Sequence, residues 1–415
     1  MREYYRRVVV TGMGMITPIG HNTEDTFNAM LNGVSGAGPL TLFPIEGHVS
    51  KVVCEVKAFD PHDYIDRREV RRRDRVQWFA TIAAKQAMEQ SALPITDENR
   101  ERVGIYLGTG VGGMTTLLEQ EHVRLETGGT RRLTPIGITK VMANGAAGLL
   151  AIDYGIWGPS MTILTACAAG NDAVGHAFHA VRRGDVDAAL TGGMEAGFVS
   201  VAMGMFERSG ATTQRASGTP SPFDANRDGF AVGEGAGMLV IETLENAQAR
   251  GAKILGEIIG YGSSTDAYHI TAPSEGGTGA ARAITKALRD ADIQPEDVDY
   301  VNAHGTGTPL NDKSETNAIK LALGDHASRI PISSTKSMTG HGMGATGAIE
   351  SGVCLKVFET GQIPPTINYV TPDLDCDLDY VPNTARPANV KIAMNNAFGF
   401  GGHNAVLLLK RFVAS

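Results

Sequence analysis

Two segments of this 415-residue chain, separated by close to half its length, share one design. The first runs Thr162-Ile163-Leu164-Thr165-Ala166-Cys167, passes through Ala168-Ala169-Gly170, and closes at Arg182-Arg183-Gly184. Val174, Ala177, Phe178 and Val181 fall at i, i+3, i+4 and i+7, one face of a helix. Basic residues followed by glycine are a helix stop signal. The second segment runs Ile332-Ser333-Ser334-Thr335-Lys336, then Ser337 to Gly347, then a helix ending near Gly361. Ile349, Val353 and Leu355 to Val357 supply its apolar face, and Pro364-Pro365 prevents continuation. Each segment reads as strand, tight turn and helix, with a reactive side chain at the turn. The repetition predicts a duplicated chain, with a first half over 1–255 and a second over 256–415.

The rest of the sequence has the same alternation. Val8 to Thr11 reads as a strand ended by Gly12, and Ala80 to Met88 as helix. Val103 to Leu107, Ala188 to Thr191 and Gly237 to Glu242 read as further strands. Alternating β and α units imply mostly parallel sheets covered by helices. The loop from Ser209 to Gly229 is long enough to be functional. Within and after it, Asp224 to Gly235 has some acidic spacing but lacks the ligand set of an EF-hand.

Composition removes several classes. With 42% hydrophobic and 20% charged residues, the chain has enough apolar content for packed cores, so disorder is excluded as its main character. The balance of 37 Lys and Arg against 45 Asp and Glu gives −8, which argues against bulk nucleic-acid binding. Cys54, Cys167, Cys354 and Cys376 lie far apart with no CxxC pair, so neither a zinc knuckle nor a disulfide framework fits. No metal is expected, and a reducing cytoplasm is the simplest home. The run Val8-Val9-Val10 is too short for a secretion signal, and no stretch of about 20 apolar residues would span a membrane.

Four places carry chemistry. Cys167 sits between a strand and a helix, where the positive helix end should lower the thiol pKa and favour a nucleophilic thiolate. A lone cysteine is equally well read as a packed core residue. His304 lies in Val301-Asn302-Ala303-His304-Gly305-Thr306-Gly307-Thr308, after a strand end in a glycine- and threonine-rich loop. His341 lies between Gly340 and Gly342, with little packing around it. Gly399-Phe400-Gly401-Gly402 is flexible backbone around one ring; it can present an N–H to an oxyanion or swing the ring across a channel, or be a plain turn with a core Phe.

Taken together and in this order, Thr165-Ala166-Cys167-Ala168, Asn302 to Thr308, Lys336-Ser337-Met338-Thr339-Gly340-His341 and Gly399 to Gly402 resemble the β-ketoacyl-[acyl carrier protein] synthases. The resemblance runs through essentially the whole chain and is nearest to the elongating type II branch. It implies an α/β, thiolase-like duplicated fold, with two mixed mostly parallel sheets in five α-β-α-β-α layers. It implies decarboxylative condensation of an acyl chain with malonyl-carrier protein. Cys167 would hold the acyl group as a thioester, and the N–H groups of Cys167 and Phe400 would form the oxyanion hole. His304 and His341 would steady the enolate, Lys336 would support them, and Glu350 would be a buried structural acid. Val111, Phe206 and Phe400 would line the acyl pocket. Thr306 and Thr308 would bind phosphopantetheine, which arrives on the carrier protein, so the chain needs no cofactor of its own. Arg67, Arg68, Arg71 and Arg72, with Arg131 and Arg132, would dock the acidic carrier protein, although such a run is also an ordinary solvated helix face. A homodimer is implied.

Two departures, Ala168-Ala169-Gly170 where Ala-Thr-Gly is commoner and Gly307 where many relatives have Ser, leave fatty acid and polyketide pathways both open. A catalytically silent carrier-binding subunit would require an unreactive Cys167. The GxGxxG spacing at Gly108, Gly110 and Gly113 raises a nucleotide-binding module, but no acidic residue stands about 20 positions on, where Leu133 lies.

Overall fold

The computed structural model describes residues 5–215 and 218–413, so positions 216 and 217 of the loop between Ser209 and Gly229 lie outside it. Ten strands form the main sheet: β1 (Val8–Ile16), β2 (Val103–Gly108), β3 (Ser160–Ile163), β4 (Ala188–Glu195), β5 (Gly235–Thr243), β6 (Gly256–Thr265), β7 (Tyr300–Asn302), β8 (Ile332–Ser333), β9 (Ile392–Gly399) and β10 (His403–Lys410). Their order across the sheet is β8-β7-β9-β10-β6-β1-β5-β4-β2-β3. Read from each edge inward, the strands of each half follow one sequence, third, second, fourth, fifth, first. The duplication suggested by two turns is therefore written into the whole topology. Each half pairs its outer strands parallel and its inner strands antiparallel. Hydrogen bonding between Val8–Val10 and 256–258 joins the two expected sheets into one.

Helices fill three layers. Against the first half lie α1 (Arg75–Ser91) and α2 (Gly145–Tyr154). The central helices α3 (Ala169–Arg183) and α6 (Thr346–Thr360) each touch strands of both halves, so they lie between them. Against the second half lie α4 (Thr278–Ala291) and α5 (Pro309–Leu323). The expected apolar faces meet in the middle layer: Val174, Ala177, Phe178 and Val181 share one buried cluster with Ile349, Val353, Leu355 and Val357. Helix α6 is buried nearly all round, so Lys356 inside that run is held by Glu24 at 2.7 Å and Glu359 at 2.6 Å.

Some boundaries differ from the sequence reading, for steric reasons. Strand β1 continues through Gly12 to Ile16. A Cβ at Gly12 would stand 2.0 Å from Ala87 O, and one at Gly14 2.1 Å from Ala83 O. These glycines seat α1 on the strand instead of ending it. Helix α1 starts at Arg75, earlier than its apolar run, because Asp74 and Gln77 form a reciprocal capping box. The strand before Cys167 stops at Ile163.

The same close approach governs the middle layer, where a Cβ at Gly237 on β5 would stand 2.5 Å from Ile349 N on α6. Gly237→Ala should lower stability by about 2 kcal/mol, because neither backbone can yield without disturbing both halves. The shift of the urea midpoint measures it, and an unchanged midpoint would show that the layers can separate.

Candidate active site

Cys167 stands on a strained turn. Ala166 has φ +50°, a left-handed conformation that costs an alanine roughly 1 kcal/mol or more. One 3₁₀ turn, Ala166–Ala168, then leads into α3. The matching turn of the second half contains the short helix Lys336–Thr339, Gly340 at φ +66° and His341. His304 follows β7 and is succeeded by Gly305 at φ +39°. Gly401 and Gly402, at φ +84° and +73°, close the hairpin between β9 and β10 with Phe400 near its tip.

These four elements surround one cavity of about 330 Å³. Cys167, His304, His341, Phe206, Phe400, Thr306 and Thr308 all line it. The two imidazole rings lie 5.3 Å apart at 84°. The Phe400 N–H faces the Cys167 sulfur, as does the N–H of Cys167 itself. A side chain at Gly399 would crowd this turn, since its Cβ would lie 3.0 Å from Cys167 N.

Burial sets the charge states. It pushes the Cys167 thiol up to about 11, against the pull of the Phe400 N–H and the positive Lys336. The thiolate expected from the helix end is thus not the resting form; desolvation outweighs the local donors. Burial holds both histidines well below 6.5, with the charge of Lys336 acting in the same direction. Both rings are therefore neutral at pH 7. The Thr346 hydroxyl lies 3.4 Å from His341 Nδ1, a contact in which either atom can be the donor. Lys336 is 1% exposed, is absent from the cavity wall, and donates to Glu350 Oε1 at 2.6 Å. Its charge acts on both histidines although it has no place in the cavity wall.

Other expectations need correction. Val111 is 45% exposed and does not line the cavity. Its loop is pinned by buried Glu195, which accepts from Gly110 N at 2.6 Å and Gly344 N at 3.2 Å, so Gly110 faces inward. The same carboxylate occupies the N–H groups a nucleotide phosphate would need, and the glycine spacing there has a structural cause. Thr306 and Thr308 lie 3.0 Å apart at Oγ1, and Thr308 also caps α5 through Asn311 N. Arg67, Arg68, Arg71 and Arg72 are exposed on a short helix, and Arg131 and Arg132 are exposed in a turn. Arg73 and Arg75 from the same basic run turn inward, to Asp153 at 2.8 Å and Glu234 at 2.5 Å. Cys376 is buried away from the cavity.

Several wall residues were not singled out in the sequence. Phe230 packs edge-on against His341 at 5.2 Å, and Phe398 lies 5.6 Å from His304. Met343 and Asn404 complete the wall. Glu315 accepts from His304 N at 2.8 Å and Gly305 N at 2.7 Å and fixes that loop; its place on α5 gave no local signal. Among the described residues, no group of three or more His, Cys, Asp and Glu side chains could hold a metal ion. Asn396 Oδ1 and Glu350 Oε2 are buried with no hydrogen-bond partner among the described residues.

A sulfur and an imidazole brought together by two copies of one strand-turn-helix unit is the plan of a thiolase-like acyltransferase. Comparison with known proteins narrows the class. Residues 5–247 match the "Beta-ketoacyl synthase, N-terminal domain" family and residues 255–370 the "Beta-ketoacyl synthase, C-terminal domain" family. The chain is 46% identical over 411 residues to 3-oxoacyl-[acyl-carrier-protein] synthase 2 of Staphylococcus aureus (strain N315), covering 99% of each. It is 46% identical over 410 residues to the protein of that name from Synechocystis sp., covering 98% of each. Among solved structures, the ishigamide ketosynthase/chain length factor superposes with TM-score 0.92 at 39% identity, covering 99% of this chain and 100% of that one. A type II PKS ketosynthase solved in complex with its acyl-carrier protein superposes with TM-score 0.91 at 36% identity, covering 98% and 100%. The chain belongs to the β-ketoacyl synthase family.

A thiol held near 11 gives a direct test. The rate of Cys167 alkylation by iodoacetamide should rise about tenfold per pH unit from about pH 7 to 9. A plateau near neutrality would mean that the thiolate already forms at rest.

Proposed function

We propose that the chain is an elongating 3-oxoacyl-[acyl carrier protein] synthase that adds two carbons per cycle to a fatty acyl chain. The observation that carries this reading is the convergence of Cys167, His304 and His341 on one cavity. The 46% identity to the 3-oxoacyl-[acyl-carrier-protein] synthases 2, against 39% and 36% to the solved ketosynthases of polyketide type, favours fatty acid over polyketide synthesis. A silent carrier-binding subunit is disfavoured because the sulfur faces the cavity.

In the first half-reaction, Cys167 Sγ attacks the thioester of acyl-carrier protein. The phosphopantetheine sulfur leaves and takes the thiol proton. The N–H groups of Cys167 and Phe400 stabilise the tetrahedral oxyanion. Malonyl-carrier protein then enters and loses CO2. The electron pair becomes an enolate, whose oxygen accepts hydrogen bonds from neutral His304 and His341. The carbanion attacks the Cys167 thioester, the C–S bond breaks, the Cys167 thiolate leaves and takes up a proton from solvent, and the 3-oxoacyl chain departs on the carrier protein. Burial, with the charge of Lys336 acting in the same direction, keeps both rings neutral, and each neutral ring has one N–H to donate.

Phe206, Phe230, Phe398 and Met343 supply an apolar wall for the acyl chain, and Phe400 is the gate. Val111 has no part in that wall within one chain. Thr306 and Thr308 are the hydroxyls for the phosphopantetheine arm, so the chain needs no cofactor of its own. The exposed Arg67, Arg68, Arg71 and Arg72, with Arg131 and Arg132, dock the acidic carrier protein. The active form is a homodimer: edge strand β3 has one open side, flanked by exposed Met161, Leu164 and Trp157. Unpaired buried cysteines support the cytoplasm. No helix among the described residues is long and apolar enough to cross a membrane.

Cys167→Ala should abolish condensation, and intact-mass measurement should find no acyl adduct; retained elongation would overturn the nucleophile. His304→Ala and His341→Ala should each slow malonyl decarboxylation by about 100-fold or more while acyl loading falls far less. Equal loss of both steps would contradict these roles. Charge reversal at Arg67 and Arg71 should raise KM for acyl-carrier protein about tenfold and leave KM for a small acyl thioester unchanged. The same KM change for both substrates would remove the docking assignment.

A further inference from the structure

The turn that carries Cys167 is bent against its own preference at Ala166, so something must hold it. The side chain immediately before the bend is the first restraint. Thr165 Oγ1 donates to Asp172 Oδ2 at 2.5 Å. Asp172 lies in the first turn of α3 and is 5% exposed. Its other oxygen, Oδ1, accepts from the Tyr261 hydroxyl at 2.5 Å. Tyr261 stands on β6, in the opposite half of the fold. Its ring lies flat against Gly175, where a Cβ would come within 2.3 Å of it.

Tyr261 is itself anchored. Its N–H donates to Asp290 Oδ2 at 3.0 Å, and Asp290 also accepts from Arg182 at 2.6 Å and lies 3.1 Å from His179 Nε2. The restraint therefore runs from α4 through β6 to the bend before Cys167. Thr165, Asp172 and Tyr261 do not line the reaction cavity; they border a second cleft that meets it at Asn404.

We propose that Asp172, with Thr165 and Tyr261, is a positioning device that fixes the Ala166–Cys167 peptide so that the Cys167 N–H points at the acyl oxygen. The inference rests on Cys167 being the acylated residue, as proposed above. One carboxylate takes two hydroxyls, one from the strand end before the bend and one from the other half of the molecule. Without either bond, the peptide can relax toward an ordinary alanine conformation and carry its N–H off line. Acyl transfer needs that N–H. Alkylation by a small halide needs only the sulfur.

The two reactions separate the claim from a structural effect. Thr165→Val keeps the shape and removes the donor, Thr165→Ser keeps the donor, Asp172→Asn removes the charge and one acceptor, and Tyr261→Phe removes one hydroxyl. In each full-length variant, acyl loading of Cys167 from an acyl-pantetheine thioester is followed by intact mass, beside its alkylation by iodoacetamide. Loading by Thr165→Val and Asp172→Asn should fall about 10- to 100-fold with KM for the thioester little changed, and by Tyr261→Phe somewhat less. Alkylation should stay within about threefold, and Thr165→Ser should recover most of the loading. Wild-type loading by Thr165→Val, or equal loss of both rates, would overturn the proposal. If Asp172→Asn does not fold, the Thr165 pair decides alone. A wild-type protein that takes no acyl group at Cys167 would instead overturn the proposed function.

Discussion

The architecture depends on two helix starts meeting at backbone distance. A Cβ at Gly170 would stand 2.8 Å from Gly344 O and 2.9 Å from Ala348 N, and one at Gly193 only 2.2 Å from Gly344 O. Hydrogen is all that fits. Because α3 and α6 begin against each other, the turns that precede them face one another. Cys167 lies on one turn and His341 on the other, so their shared cavity follows from how the layers pack. The contact also crosses the chain's duplication, which is why neither half could form the site alone.

Burial at that meeting point then decides the chemistry. Desolvation penalises whichever form of a group is charged, so it raises the thiol and lowers both imidazoles together. The reacting groups are neutral at rest. Lys336, whose charge acts on both rings, is bonded to Glu350, whose carboxyl burial pushes up to about 7 against the attraction of Lys336. A fixed cation near neutral rings favours any negative charge that develops beside them. The site is thus poor at holding a ready-made thiolate and well suited to an anion that exists only during reaction.

The turns themselves were legible in the sequence because glycine and short polar residues leave so few alternatives there. His304 and His341 stand in such settings, and both reach the cavity. What the sequence could not show is the partner of each close contact. Gly12 reads as a strand end until Ala87 is seen against it. Arg73 and Arg75 read as part of a basic face, but Asp153 and Glu234, distant in sequence, draw them inward. Resemblance puts Val111 in the acyl pocket, yet Glu195 holds its loop so that Gly110 faces inward. The thiol pKa departs from the sequence expectation for the same reason: a helix end is visible locally, whereas burial is a property of the whole fold.

The two halves have divided the labour through one difference in connection. In the second half, β9 and β10 are joined by residues 400–402 alone, a hairpin so tight that Phe400 N–H is held at the sulfur. The equivalent connection in the first half, from β4 to β5, spans 196–234. That excursion folds back over the cavity and supplies Phe206, Ala211 and Phe230 to its wall. A short link yields a rigid, polar anion site, and a long one yields an apolar surface. The fold is symmetric in its strands, and its cavity is asymmetric because these two links are not. An acyl chain and the charge that develops at its carbonyl can therefore be met from opposite sides.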